Sequence, residues 1–122
     1  MHEISIAEGI IEIIEGQIKS IRDKSLTSNI GRVKSIKLKI GEMSGVVPDA
    51  LEFSFQIASK GTVAEGAALN IEHVPLTALC SDCSESFHIK GYCFECSRCG
   101  GTNFKVITGR ELLIEEIEVE DT

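Results

Sequence analysis

A chain of 122 residues, 43% of them hydrophobic, can bury a modest core: one compact domain, or one domain plus a small metal-stabilised module. No stretch approaches the ~18 consecutive apolar residues of a membrane span, and Met1 leads into the first helical pattern without a basic or apolar leader, so a cytoplasmic protein with reduced thiols is expected. A net charge of −7, with six acids and no bases in the last twelve residues, argues against a nucleic-acid partner, which calls for a basic footprint.

The first predicted element is an amphipathic helix from Ser5 to Ile21. Ser5-x-x-Glu8 reads as a capping box preceded by Ile4. Ala7, Ile10, Ile11, Ile14, Ile18 and Ile21 repeat with a period near ~3.6 and define one buried stripe. Lys19, Arg22 and Lys24 gather at the carboxyl end, where cations are favoured. A polar stretch from Ser25 to Gly31 ends the helix. Ser35 to Ile40 alternates, with Ile36, Leu38 and Ile40 on one face and Lys37 and Lys39 on the other, as in a half-buried strand.

Gly41 to Val47 reads as a loop; its GEMSG segment lacks the lysine and the spacing of a phosphate-binding loop. Pro48 suits the first turn of a second helix that presents Leu51, Phe55 and Ala58 on one face and stops at Gly61. Leu69 and Ile71 mark a short strand before Pro75. Leu112 to Val119 reads as a final strand whose apolar parity shifts at Glu115-Glu116, suggesting a bulge.

Between these elements lie two CxxC pairs, Cys80-Ser81-Asp82-Cys83 and Cys96-Ser97-Arg98-Cys99, twelve residues apart. That gap suits one short hairpin carrying both pairs to a common point. Two such turns present four inward thiolates, a tetrahedral cage suited to Zn(II). With every position filled by protein, no open site remains for water or substrate, so the zinc is expected to be structural. Cys93-Phe94-Glu95-Cys96 is a competing CxxC, but only Cys96/Cys99 is followed by glycines, Gly100 and Gly101, which let amides approach the sulfurs. Cys93 is then a spare thiol, expected to be partly buried between Tyr92 and Phe94. A tetrathiolate iron centre has similar ligands, and spacing alone does not separate it from zinc. The odd cysteine count speaks against a disulfide framework, and neither pair follows the first strand of a βαβ unit as a redox motif would. Between Cys80 and Arg110, four bases face three acids, too little charge for a phosphate backbone, so Phe87, Tyr92, Phe94 and Phe104 are assigned to the module's small core.

The start of the chain is a second candidate metal site. The Met1 α-amine, the His2 amide nitrogen and His2 Nδ1 lie in consecutive chelate rings, nearly coplanar. Such an all-nitrogen set suits Ni(II) or Cu(II), and Glu3 can complete or neutralise it. His73 and His88 lack that context: His73 is expected to pack or hydrogen-bond beside its strand, and His88 lies on the cysteine hairpin.

Together these features resemble the hydrogenase maturation factor HypA/HybF family of nickel metallochaperones. The resemblance runs through MHEISIAEGI, KLKIGEMSGV, GTVAEGAALNIE, the two CxxC pairs and GRELLIEEIEVE, essentially the whole chain. It implies nickel at Met1, His2 and Glu3 and zinc at Cys80, Cys83, Cys96 and Cys99. It also implies delivery of Ni(II) to the [NiFe]-hydrogenase large-subunit precursor with the GTPase HypB, and in some bacteria service to urease maturation. Two departures are the serine after Cys96, where the family often has proline, and the added Cys93.

The expected fold class is α+β: a small mixed α/β nickel-binding domain, two helices on a small sheet, with an inserted four-cysteine zinc ribbon. Residues 1–75 and 107–122 form the first domain and residues 76–106 the ribbon, in a monomer or homodimer without catalytic turnover. The competing functions are a zinc-ribbon interaction scaffold with no nickel role and an iron electron carrier.

Overall fold

The computed structural model describes residues 3–24, 30–91 and 93–121, with Ile30 and Asp121 described by backbone alone. Its elements are α1 (Glu3–Lys24), β1 (Ile30–Gly41), α2 (Pro48–Ala58), β2 (Ala68–Val74), β3 (Thr77–Cys80), β4 (Ser86–His88), β5 (Phe104–Thr108) and β6 (Leu112–Asp121). The strands form two three-stranded sheets, ordered β2-β1-β6 and β4-β3-β5. The chain is therefore mixed α+β, as its periodicities indicated.

The chain condenses into two compact units. One comprises residues 1–38, 46–71 and 114–122; the other comprises residues 39–45 and 72–113. The division falls within β1, β2 and β6, and the expected ribbon, residues 76–106, lies inside the second unit.

In the first unit, α1 buries Ala7, Ile10, Ile11, Ile14 and Ile18, the stripe legible in the sequence, and packs against α2. The capping-box expectation is corrected: Glu3 already lies in the helix, so Ser5 is an interior first-turn residue and not the cap. A carboxylate in the first turn is favoured by the helix dipole, so the motif does not force a start at Ser5. Ile21, expected on the buried stripe, is 43% exposed because the stripe ends one turn earlier, at Ile18.

Strand β1 begins before Ser35. Val33 and Ile36 are both buried although three residues apart, and that break in the two-residue period hides the strand's first half from pattern reading. Pro48 occupies the first turn of α2 as expected, Leu51 and Phe55 face inward, and Ser59 caps the end. In β6 the half-buried residues Ile114 and Ile117 are likewise three apart, so the shift read at Glu115-Glu116 is present in the burial pattern. Ion pairs Arg32–Glu120 (2.6 Å), Lys34–Glu118 (3.7 Å) and Lys37–Glu115 (3.5 Å) step backward along β6 as β1 advances, the sign of antiparallel pairing. Of the polar segment expected at residues 25–31, residues 25–29 lie outside the described residues, and Ile30 and Gly31 already belong to β1, a correction to the expected end of that segment.

In the second unit β3 is central. Ala78 opposes Phe87 of β4 and Val106 of β5, both pairings antiparallel. Leu76, Ala78, Cys80, Phe87, Ile89 and Cys96 form its buried core, with Cys83, Phe104 and Val106 packed on it. The Phe87 and Phe104 rings meet edge to face at 5.8 Å, and Phe94 stacks on Phe104 at 6.5 Å. These rings pack on one another, as assigned, although Phe94 stays 43% exposed; Tyr92 lies outside the described residues. Two cysteines in so small a core mean that apolar burial alone is thin, and cross-linking through a metal would supplement it.

Candidate metal centre

The two CxxC segments fold into the same turn twice. In the first, Cys80 N–H donates to Glu85 O at 2.9 Å and Ser84 N–H donates to Cys80 O at 2.9 Å. In the second, Cys96 N–H donates to Gly101 O at 2.8 Å and Gly100 N–H donates to Cys96 O at 2.8 Å. The residue after each pair has a left-handed backbone: Ser84 at φ 62° and Gly100 at φ 73°. Glycine adopts that conformation freely and serine does not, so the first turn carries strain that the second avoids. Ser81 N–H donates to Asn103 O at 2.9 Å, and Arg98 pairs with Glu85 at 2.7 Å, holding one turn against the other.

This arrangement brings the sulfurs of Cys80, Cys83, Cys96 and Cys99 within 4.8 Å of one another. Cys80 and Cys99 Sγ atoms are 3.6 Å apart, as are those of Cys83 and Cys96. A tetrahedral metal with M–S bonds of ~2.3 Å spaces its sulfurs by roughly 3.8 Å, so the residues fit such an ion. All are free thiols in the structure, not disulfides.

The sulfurs differ electrostatically. Amide N–H groups of Cys99 and, less strongly, Arg98 draw Cys96 down to about 7 against the opposing effect of burial. Cys99 receives the Gly101 amide, which lowers it, but the neighbouring Cys80 thiol and burial win and push it up to about 12. At Cys83 the Glu85 amide pulls down, while burial and the Cys96 and Cys80 sulfurs leave it raised overall. One thiolate therefore forms readily near neutral pH, whereas a full set needs a bound cation to neutralise it.

Cys93 stands apart from this set. Its expected partial burial is corrected: it is exposed, in a segment outside any strand where the neighbouring Phe94 is itself 43% exposed. His73 is exposed on β2 rather than packed beside it. His88 is exposed on β4 and its Nε2 meets Glu42 Oε1 at 3.2 Å, a contact across 46 positions that no local pattern signals. Glu42 also accepts the Leu76 amide at 3.1 Å. That amide, and then the His88 ring, hold the Glu42 carboxyl below its ordinary range. At the other candidate site, Glu3 is half-buried in the first turn of α1, and Met1 and His2 lie outside the described residues.

A mixed α+β chain that gathers four thiols at tetrahedral spacing is a metal-binding protein by its donor chemistry. Comparison with known proteins agrees. The family model described as "Hydrogenase/urease nickel incorporation, metallochaperone, hypA" matches residues 1–119. The hydrogenase maturation factor HypA of Geobacter metallireducens is 42% identical over 120 residues, covering 98% of this chain and all of the relative. Two solved structures share the fold. One is a solution structure of HypA protein, with TM-score 0.69, 22% identity and 98% and 97% coverage of this chain and that one. The other is the solution structure of the Ni metallochaperone HypA from Helicobacter pylori, with TM-score 0.63, 21% identity and full coverage of both chains. The chain belongs to the HypA family of hydrogenase/urease nickel-incorporation metallochaperones.

Proposed function

We propose that this chain binds Ni(II) at its amino terminus, through Met1, His2 and Glu3, and delivers it to the [NiFe]-hydrogenase large-subunit precursor together with the GTPase HypB. Zn(II) occupies Cys80, Cys83, Cys96 and Cys99 and is structural. Residues 1–75 and 107–122 serve as the nickel-binding domain, residues 76–106 as the zinc ribbon, and the protein works in the cytoplasm. Where urease is present, its maturation proteins are further clients. The observation that carries this reading is the match to a nickel-incorporation family, which spans residues 1–119. The placement of Glu3 supports it, because a residue within α1 has a fixed backbone.

The mechanism is ligand exchange without turnover. A terminal, open nitrogen set accepts Ni(II) and yields it to a better-chelating client, whereas a closed thiolate cage would keep it. The carboxyl half of α1 offers a docking surface for the GTPase. Ile13 is 56% exposed and, with Ile21, Ile114, Ile117 and Val119, lines a groove of about 380 Å³ there. Charge reversal at Lys19 and Arg22 probes this face, and complex formation unchanged by every α1 substitution would move the interface elsewhere.

The deciding experiment compares nickel binding by the untagged chain, by His2→Ala and by a chain extended before Met1. Extension turns the amine into an amide and shifts histidine out of ring position, so it should weaken binding almost as much as His2→Ala, with zinc retained. Because protons compete with nickel for an amine and an imidazole, nickel affinity should fall steeply from about pH 7 to 6. An extended chain that binds one nickel as tightly as the untagged chain refutes the assignment.

A further inference from the structure

A cavity of about 570 Å³ in the second unit is lined by His88, Lys90, Cys93, Glu95, Cys96 and Ser97. It therefore holds a thiol and an imidazole that take no part in the four-sulfur cage. Two local features place them there. Side chains alternate along β4, so burial of Phe87 sends His88 to the opposite, exposed face. Cys93 N–H donates to Lys90 O at 3.1 Å, which ties Cys93 to the segment that directly follows β4.

His88 is also oriented. Its Nε2 lies 3.2 Å from Glu42 Oε1, the oxygen that accepts the Leu76 amide at 3.1 Å. An imidazole that donates from Nε2 to a fixed carboxylate keeps the Nδ1 lone pair for a Lewis acid. A carboxylate behind a histidine is the usual outer partner of a metal-bound ring, and it raises the basicity of the ligand nitrogen.

We propose that His88 Nδ1 and Cys93 Sγ form a second, exchangeable site for a borderline divalent transition ion of the Ni(II) or Co(II) type. Binding makes one metal–sulfur and one metal–nitrogen bond, releases the Cys93 thiol proton to solvent and leaves the remaining positions to water. One thiolate and one imidazole match the softness of such an ion and discriminate against Mg(II) and Ca(II). Two protein ligands in an open cavity allow rapid exchange, unlike the closed four-cysteine set. On the same cavity wall Lys90 sets a like charge against the ion and Glu95 an opposite one, so the surrounding charge adds little net attraction.

The inference is independent of the amino-terminal site, so it is tested in the full chain carrying His2→Ala, with zinc filling the cage and Co(II) as the probe. One further cobalt should bind per chain, with a sulfur-to-cobalt charge-transfer absorption and no loss of zinc. Cys93→Ser should remove that absorption. Glu42→Gln, which leaves both ligands in place, should weaken binding by about tenfold, and Lys90→Gln should tighten it. Cobalt should also protect Cys93 from alkylation. Two results overturn the proposal: no protection of Cys93, or an absorption that survives Cys93→Ser and appears as zinc is released, which would place cobalt in the cage.

Discussion

Replacement of Gly41 by alanine tests how tightly the second unit is drawn together at the end of β1. An added methyl there would lie 2.2 Å from both the carbonyl carbon and the oxygen of Gly109 and 2.6 Å from Arg110 N, all backbone atoms. No side chain can swing away, so the two segments must part by roughly an ångström in an interior packed like a crystal. The same approach is bridged by Gly41 N–H to Glu111 O and Met43 N–H to Gly109 O, each 2.7 Å. Losing both costs about 2 kcal/mol, and forced separation adds about 1–3 kcal/mol, giving roughly 3–5 kcal/mol. An unobstructed strand alanine would instead gain roughly 0.5–1 kcal/mol over glycine, so the contact reverses the sign. Urea unfolding of the zinc-loaded chain, followed by circular dichroism, measures the loss. Gly16→Ala is the matched control: it is exposed in mid-α1 with nothing within 4 Å, and should gain up to about 1 kcal/mol. A Gly41→Ala chain as stable as the parent would refute the reasoning.

Ser84→Gly should relieve the left-handed strain of the first CxxC turn, about 1–2 kcal/mol, against about 0.4–1 kcal/mol of added unfolded-state freedom. A small rise in melting temperature is therefore expected, and a fall would show that the serine side chain stabilises the turn. Metal analysis should find one zinc per chain in Cys93→Ser and a loss of zinc in Cys99→Ser; the reverse would mean that Cys93-Phe94-Glu95-Cys96 supplies the second pair. Chelation of the zinc should unfold the β4-β3-β5 sheet, while the helical signal of α1 and α2 persists. Glu42 is held below its ordinary carboxylate range by the Leu76 amide and then by His88. Its contribution is thus complete above the unfolded value and lost as pH falls through the folded one, and His88→Gln should shrink that acid-side loss.

Much of this protein was legible in its sequence because the relevant signals are local. Isoleucines at helical spacing named the buried face of α1, Pro48 marked the start of α2, and each CxxC is a self-contained turn. The structure groups Cys96 and Cys99, the pair followed by glycines, with Cys80 and Cys83, and Gly100 takes the left-handed position after that pair. Ser84 shows the limit of that signal, because the first turn makes the same bend without glycine. The first half of β1 escaped detection because Val33 and Ile36 break the two-residue period. Glu42 and His88, 46 positions apart, carry no pattern linking them, and neither does the stacking of Phe94 on Phe104. Periodicity and turn chemistry reach only neighbours along the chain. Close approaches such as Gly41 to Gly109 are decided by which surfaces meet once both segments have folded.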